Sequence, residues 1–122
     1  ELYLKYKKEI TNAEKEAFKY CQLAAERGYA PAQYQLGCYY AEGIGTDESL
    51  ERAFKYFKLA ADQGDVKAQY QVGLCYIRGQ GVKLSHKQAI HYLELAADQG
   101  LKEAIKMCHT RSGFPVNSLT RN

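Results

Sequence analysis

The sequence predicts an all-α protein built from stacked helix pairs, and three observations carry that prediction. Residues 53–73, AFKYFKLAADQGDVKAQYQVG, stand 36 residues after an edited copy at residues 17–37, AFKYCQLAAERGYAPAQYQLG, with thirteen of 21 aligned positions identical. A third copy begins at Ala89, AIHYLELAADQGLKEAIKMC, keeps the period to Ala104 and then drifts. Within each copy the apolar residues recur at helical spacing and glycines interrupt them at fixed places. Self-similarity at such a period marks an array in which each unit contacts mainly its neighbours.

Residues 1–10 carry Leu2, Tyr3, Leu4 and Tyr6 and the polar run KKE. By the 36-residue register they match the end of a repeat's first helix without its beginning, which reads as a truncated repeat cut from a longer array. Thr11, Asn12 and Ala13 are expected to open the next helix, with Thr11 and Glu14 as a reciprocal cap. Ser85 with Gln88 fits the same pattern later in the chain. The middle copy offers Thr46, Asp47 and Ser49 as cap candidates.

In that middle copy, Leu50, Ala53, Phe54, Phe57, Ala60 and Ala61 form one apolar stripe, and Tyr56 with Leu59 a second. A helix apolar on two sides is sandwiched between neighbours. It is expected to stop at Gly64, matching Gly28 and Gly100, where a left-handed residue costs least. The following helix spans about 30–42 and again 66–78. Its core stripe is Ala32, Leu36, Tyr39 and Tyr40, then Ala68, Val72, Cys75 and Tyr76. Gly37 and Gly73 sit in mid-helix, where glycine costs about 1 kcal/mol against alanine. Their recurrence predicts that a bulky ring from the partner helix approaches the backbone there. Gly43-Ile44-Gly45 and Gly79-Gln80-Gly81 supply the turn dihedrals that follow.

The last helix, from Leu101 to about Arg111, keeps Leu101, Ala104, Ile105 and Cys108 as its stripe. Lys106 and His109 replace a tyrosine and a glycine on its other face, as a terminal unit requires. Ser112, Gly113 and Pro115 are expected to end it. The division is therefore a truncated repeat at 1–29, repeats at 30–65 and 66–101, a capping helix at 102–114 and a flexible tail at 115–122. That makes about two and a half repeats.

Composition excludes several functions. Hydrophobic residues at 46% and charged residues at 25% are ordinary globular values, and a net charge of +3 is too small to argue for nucleic acid. The charge is uneven: residues 30–65 sum to −3, 66–101 to +2 and 102–122 to +3, which bears on partner preference. No apolar run is long enough to insert in a membrane. The chain opens on Glu1 without a charged-then-apolar leader, which reads as a mature chain or an excised piece. Its compartment is left open.

No cofactor or metal is expected. The GxG turns lack the strand and third glycine of a dinucleotide fingerprint. Only the adjacent Cys108 and His109 could begin a zinc site. Cys21, Cys38, Cys75 and Cys108 replace apolar residues of other copies and read as small hydrophobes, reduced, which leans towards an intracellular setting. His86, His91 and His109 occupy unrelated repeat positions and read as exposed. Of eleven tyrosines, Tyr20, Tyr56 and Tyr92 share one repeat position and Tyr40 and Tyr76 another, so core packing explains them better than stacking on bases. No serine, histidine and carboxylate combine into a nucleophile, so no enzyme is expected.

These residues resemble the Sel1-like repeats, relatives of the tetratricopeptide repeats. The pattern appears as Ala30, Ala32, Leu36, Gly37, Tyr40, Gly43, Gly45, Asp47, Ala53, Ala60, Ala61 and Gly64, and again as Ala68, Val72, Gly73, Tyr76, Gly79, Gly81, Val82, Ala89, Ala96, Ala97 and Gly100. The resemblance implies a right-handed superhelix of antiparallel helix pairs acting as an adaptor or scaffold that binds a partner protein or peptide. A structural or regulatory segment of a protein whose catalytic domain lies elsewhere is the alternative. A cysteine-rich branch of similar fold bridges its helices with disulfides. The corresponding pairs here, Ala25 with Ala32, Ala61 with Ala68 and Ala97 with Ala104, are all alanine.

The first helix of each repeat also carries a second apolar stripe: Tyr34, Cys38 and Ala41, then Tyr70, Leu74 and Ile77. By resemblance to tetratricopeptide arrays it would line the concave surface. The candidate partner-binding residues are Tyr34, Cys38, Glu42, Lys67, Tyr70, Leu74, Ile77, Arg78 and Lys106. The competing reading is that the stripe packs the adjacent repeats together.

Overall fold

The computed structural model describes residues 1–110 and contains six helices and, among those residues, no strand: α1 (Leu2–Glu26), α2 (Ala30–Glu42), α3 (Leu50–Asp62), α4 (Val66–Arg78), α5 (His86–Asp98) and α6 (Lys102–Thr110). Each packs on the next, so the chain is a solenoid of antiparallel pairs. Helices α2, α4 and α6 are first helices of their repeats, here type A. Helices α1, α3 and α5 are second helices, type B.

Glycine and serine set the boundaries. Each B helix ends in a left-handed glycine, with φ of 90° at Gly28, 100° at Gly64 and 92° at Gly100. After α3 the Gly64 N–H donates to Ala61 and the Asp65 N–H reaches back to the Ala60 carbonyl, the paired closure that satisfies a helix's last carbonyls. Ser49 and Ser85 cap α3 and α5, their hydroxyls accepting from the Arg52 and Gln88 N–H groups at 3.2 Å. The reciprocal half of the cap is absent at Ser85, whose own N–H donates to the Tyr76 carbonyl.

The N-terminal cap expected at Thr11 does not form. Helix α1 runs unbroken through it, and the Thr11 hydroxyl donates to the Lys7 carbonyl one turn back at 2.9 Å. With neither glycine nor proline in residues 1–26, nothing in the local sequence breaks the backbone ladder there.

The core lies between the helix layers, around Leu36, Phe57 and Val72 on one side and Leu93, Ala96 and Ala104 on the other. A recurring aromatic arrangement holds consecutive layers. Tyr40 stacks on Tyr56 of its own repeat at 5.8 Å and meets Phe18 of the preceding B helix edge-on at 5.3 Å. Tyr76 does the same with Tyr92 at 6.1 Å and Phe54 at 5.3 Å. Packing thus occupies four of the five recurrent tyrosines. Tyr20 departs from the expectation and is 68% exposed, because among the described residues no A helix packs on that side of α1. Leu50 and Leu59, assigned to apolar stripes, are also exposed, at the edge of the face their helix buries.

The mid-helix glycines mark close approach, as expected, although only one faces a ring. A Cβ on Gly37 would lie 2.6 Å from the Phe57 ring, whereas on Gly73 it would lie 2.7 Å from the aliphatic end of Leu93. Leu93 is the register equivalent of Phe57, so the glycine answers side-chain bulk, not aromaticity.

Candidate interaction face on the first helices of the repeats

The nine candidate residues lie on α2, α4 and α6, and they form a long face instead of a compact site. Tyr34, Cys38, Tyr70, Leu74 and Ile77 are half-buried, while Glu42, Lys67, Arg78 and Lys106 are exposed. Lys67 and Arg78 stand at opposite ends of α4, about 16 Å apart along its axis at 1.5 Å per residue.

Three of the candidates meet at one end. A hollow of about 250 Å³ is lined by Tyr34 from α2, Lys67, Tyr70 and Gln71 from α4, and Leu101 and Glu103 from the start of α6. A neighbouring hollow of about 370 Å³ is lined by Pro31, Tyr34, Gln35, Asp65, Val66 and Lys67. Lys67 and Tyr34 therefore line both shallow hollows, and Tyr70 lines the first alone. The remaining candidates lie outside both. A larger hollow of about 480 Å³ opens elsewhere, beside the C-terminal end of α1, and no candidate residue lines it.

Packing shares this face. The Tyr34 ring centre is 5.7 Å from that of Phe57, and Tyr34, Cys38 and Ala41 rest on the core of the first repeats as Tyr70 and Ile77 rest on that of the last. Burial, with Cys38 next in weight, pushes the Tyr34 hydroxyl up to about 12, and burial pushes the Cys75 thiol up to about 11. Both shifts favour the neutral form in the folded chain. Stability is therefore complete below the ordinary values near 9 and 10, and falls as pH rises through 11 and 12. Urea unfolding between pH 8 and pH 12 is expected to show a midpoint that declines above about pH 9, and Cys75→Ala should weaken the lower part of that decline.

A recurring set of glutamines was missed in the sequence. Gln33 and Gln69 are each 5% exposed, and their amide nitrogens donate to the Ala25 and Ala61 carbonyls. Gln63 donates to the Gln33 side-chain oxygen at 2.8 Å and to the Gly28 carbonyl at 3.0 Å; Gln99 does the same to Gln69 and Gly64 at 2.8 and 3.1 Å. Each pair ties one repeat's B-helix end to the turn before it. The signal was present in the 36-residue recurrence of both positions. Gln69→Ala should lower stability by about 1 kcal/mol, since it strands part of a buried hydrogen-bond network. The exposed Gln80→Ala should leave a urea midpoint unchanged.

Among the described residues no group of three or more His, Cys, Asp or Glu side chains is placed to hold a metal ion, and no helix is long and apolar enough to cross a membrane. All four cysteines are free.

The model of the Sel1 repeat matches residues 9–29, 30–65 and 66–101, and the chain belongs to the Sel1 repeat family. Members of that family typically serve as protein-interaction modules and are generally non-catalytic repeat scaffolds. The chain is similar to a Sel1 repeat protein from Oxalobacter formigenes, with 34% identity and a TM-score of 0.74 over 76% of this chain and 27% of that one. It is also similar to c5321, a protective antigen of uropathogenic Escherichia coli with 32% identity and a TM-score of 0.75, over 76% of this chain and 20% of that one. Helicobacter pylori cysteine rich protein B shares 26% identity and a TM-score of 0.72 over 75% of this chain and 69% of its own length. This chain thus spans 27% and 20% of the length of the first two proteins. No curated protein matches it.

Proposed function

We propose that this chain is a protein-interaction module that binds a partner protein or peptide along the type A helices, without catalysing a reaction and without a cofactor. One observation carries the reading: Tyr34, Lys67 and Tyr70, from two successive repeats, converge on a hollow that the start of α6 closes. Two amphipathic rings around an exposed cation offer apolar area, hydroxyl groups and charge together, as interfaces with polypeptides do. Leu74 and Ile77 extend the apolar part along α4, and Glu42, Arg78 and Lys106 supply a charged rim. The increase in positive charge from the first repeat to the C-terminal segment favours an acidic stretch in the partner.

Tyr70→Ala and Arg78→Ala test the reading against simple repeat packing. With a partner obtained by affinity capture on the unsubstituted chain, each substitution is expected to weaken binding about tenfold, or about 1.4 kcal/mol. Arg78→Ala should leave thermal unfolding unchanged, and Tyr70→Ala should leave the fold largely intact. A Tyr70→Ala protein that unfolds early yet binds normally at low temperature would end the proposal.

A further inference from the structure

The two hollows on the type A helices are one feature repeated. Advancing by 36 the residues that line the hollow between α2 and α4 gives residues that line the hollow before α6, at every position except Val66. Tyr34 and Gln35 return as Tyr70 and Gln71, and Lys67 returns as Glu103. A ligand that spans both hollows must therefore repeat its own contacts at the spacing of the layers, about 10 Å for packed helices. An extended strand does not, because its residues three apart, about 10 Å along the chain, point to opposite faces. A polyproline II helix presents the same face every third residue, about 9 Å on, and an α-helix every seventh, about 10.5 Å on.

Gln35 and Gln71 decide between the last two. Each hollow brings one glutamine amide, and among the described residues neither side chain is hydrogen-bonded. A polyproline II backbone leaves its carbonyls free for such donors, whereas an α-helix pairs its own. Charge adds a second constraint. Lys67 lines both hollows and is exposed, and the one salt bridge among the described residues joins Lys58 to Asp62. The nearby carboxylates are otherwise placed: Asp65 caps α4, accepting from the Ala68 N–H at 2.9 Å, and Glu103 sits in the first turn of α6, where the helix N-terminus favours it. Resting on the proposed role of the type A helices in binding, we infer that their ligand is a proline-rich segment in polyproline II form, with prolines three residues apart and an acidic residue between them. One proline ring lies on Tyr34 and the next on Tyr70, as such segments dock in aromatic-lined grooves. The acidic residue meets Lys67, and the two glutamines donate to the segment's carbonyls.

The probe is the fluorescein-labelled peptide PEAPEAPEAP, titrated with the whole chain. Its anisotropy should rise saturably. The reordered peptide PEPAEAPEPA has the same composition and charge but no two prolines three apart, and it should bind about tenfold more weakly. Lys67→Glu should weaken binding of the first peptide about tenfold while leaving the melting curve of the chain unchanged. No saturable binding by the first peptide, equal binding of both peptides, or equal binding to Lys67→Glu would overturn the inference. Saturable binding of a helical peptide with leucines seven residues apart, with none of the proline peptide, would give the hollows to an α-helix and overturn it as well. The proposed function survives each of those results, and falls instead if Tyr70→Ala leaves the affinity for the captured partner unchanged.

Discussion

Leu93→Ala is expected to lower the unfolding free energy by about 2–5 kcal/mol, the range for emptying a buried leucine site that can relax only partly. Leu93 is fully buried, and its end atoms lie so near the Gly73 backbone that a Cβ there would be 2.7 Å away. The cavity would open at a helix contact, not beside mobile side chains, which places the cost in the upper part of that range. Urea unfolding of the variant gives the number directly.

Gly73→Leu approaches the same contact from the other side and should cost about 1–3 kcal/mol through overpacking. An added Cβ would already lie 2.7 Å from Leu93, so either that side chain leaves its position or α4 and α5 separate. The two substitutions share one volume and cannot be independent. Combined, they should destabilise the chain by less than the sum of the single effects, because a leucine at 73 partly refills the space vacated at 93. Strict additivity, or an unchanged melting temperature for Gly73→Leu, would mean that close helix approach does not select glycine here.

The repeat fold was legible because its signals are local and redundant. Gly28, Gly64 and Gly100 stop helices through their own backbone freedom, and Ser49 and Ser85 cap them through atoms three residues away. Such effects need no knowledge of the neighbouring layer. The segment before residue 30 was harder to read. Register alone assigned residues 1–10 to a separate element, yet no helix breaker separates them from α1, and the helix continues. Tyr20 shows the limit of arguing from recurrence. It has the identity of Tyr56 and Tyr92, but burial depends on a covering helix, and among the described residues none packs on that side of α1.

The candidate interaction face was legible only in part, for a related reason. The spacing of Tyr34 and Tyr70 put them on one side of their helices, and both line one hollow. Their neighbours there, Leu101 just before α6 and Glu103 in its first turn, come from a segment whose approach no periodicity reveals. Leu101, assigned to a core stripe, does pack against the core around Leu93 and Ala104, and it lines the hollow as well. Gln33 recurs as Gln69 and Gln63 as Gln99, each in two copies where the alanines recur in three, but glutamine is usually a surface residue, and its hydrogen bonds become visible only when the turns are in place.

The role of the type A helices is tested most directly by photo-crosslinking. A benzophenone amino acid at Lys67, between the two hollows, and the same residue at His91, exposed on helix α5, probe the two faces of one folded chain. In native lysate, position 67 is expected to give a discrete crosslinked partner that an excess of unlabelled chain competes away, and position 91 is expected to give none. The same competable partner at position 91, with nothing at 67, would contradict the assignment of binding to the first helices of the repeats.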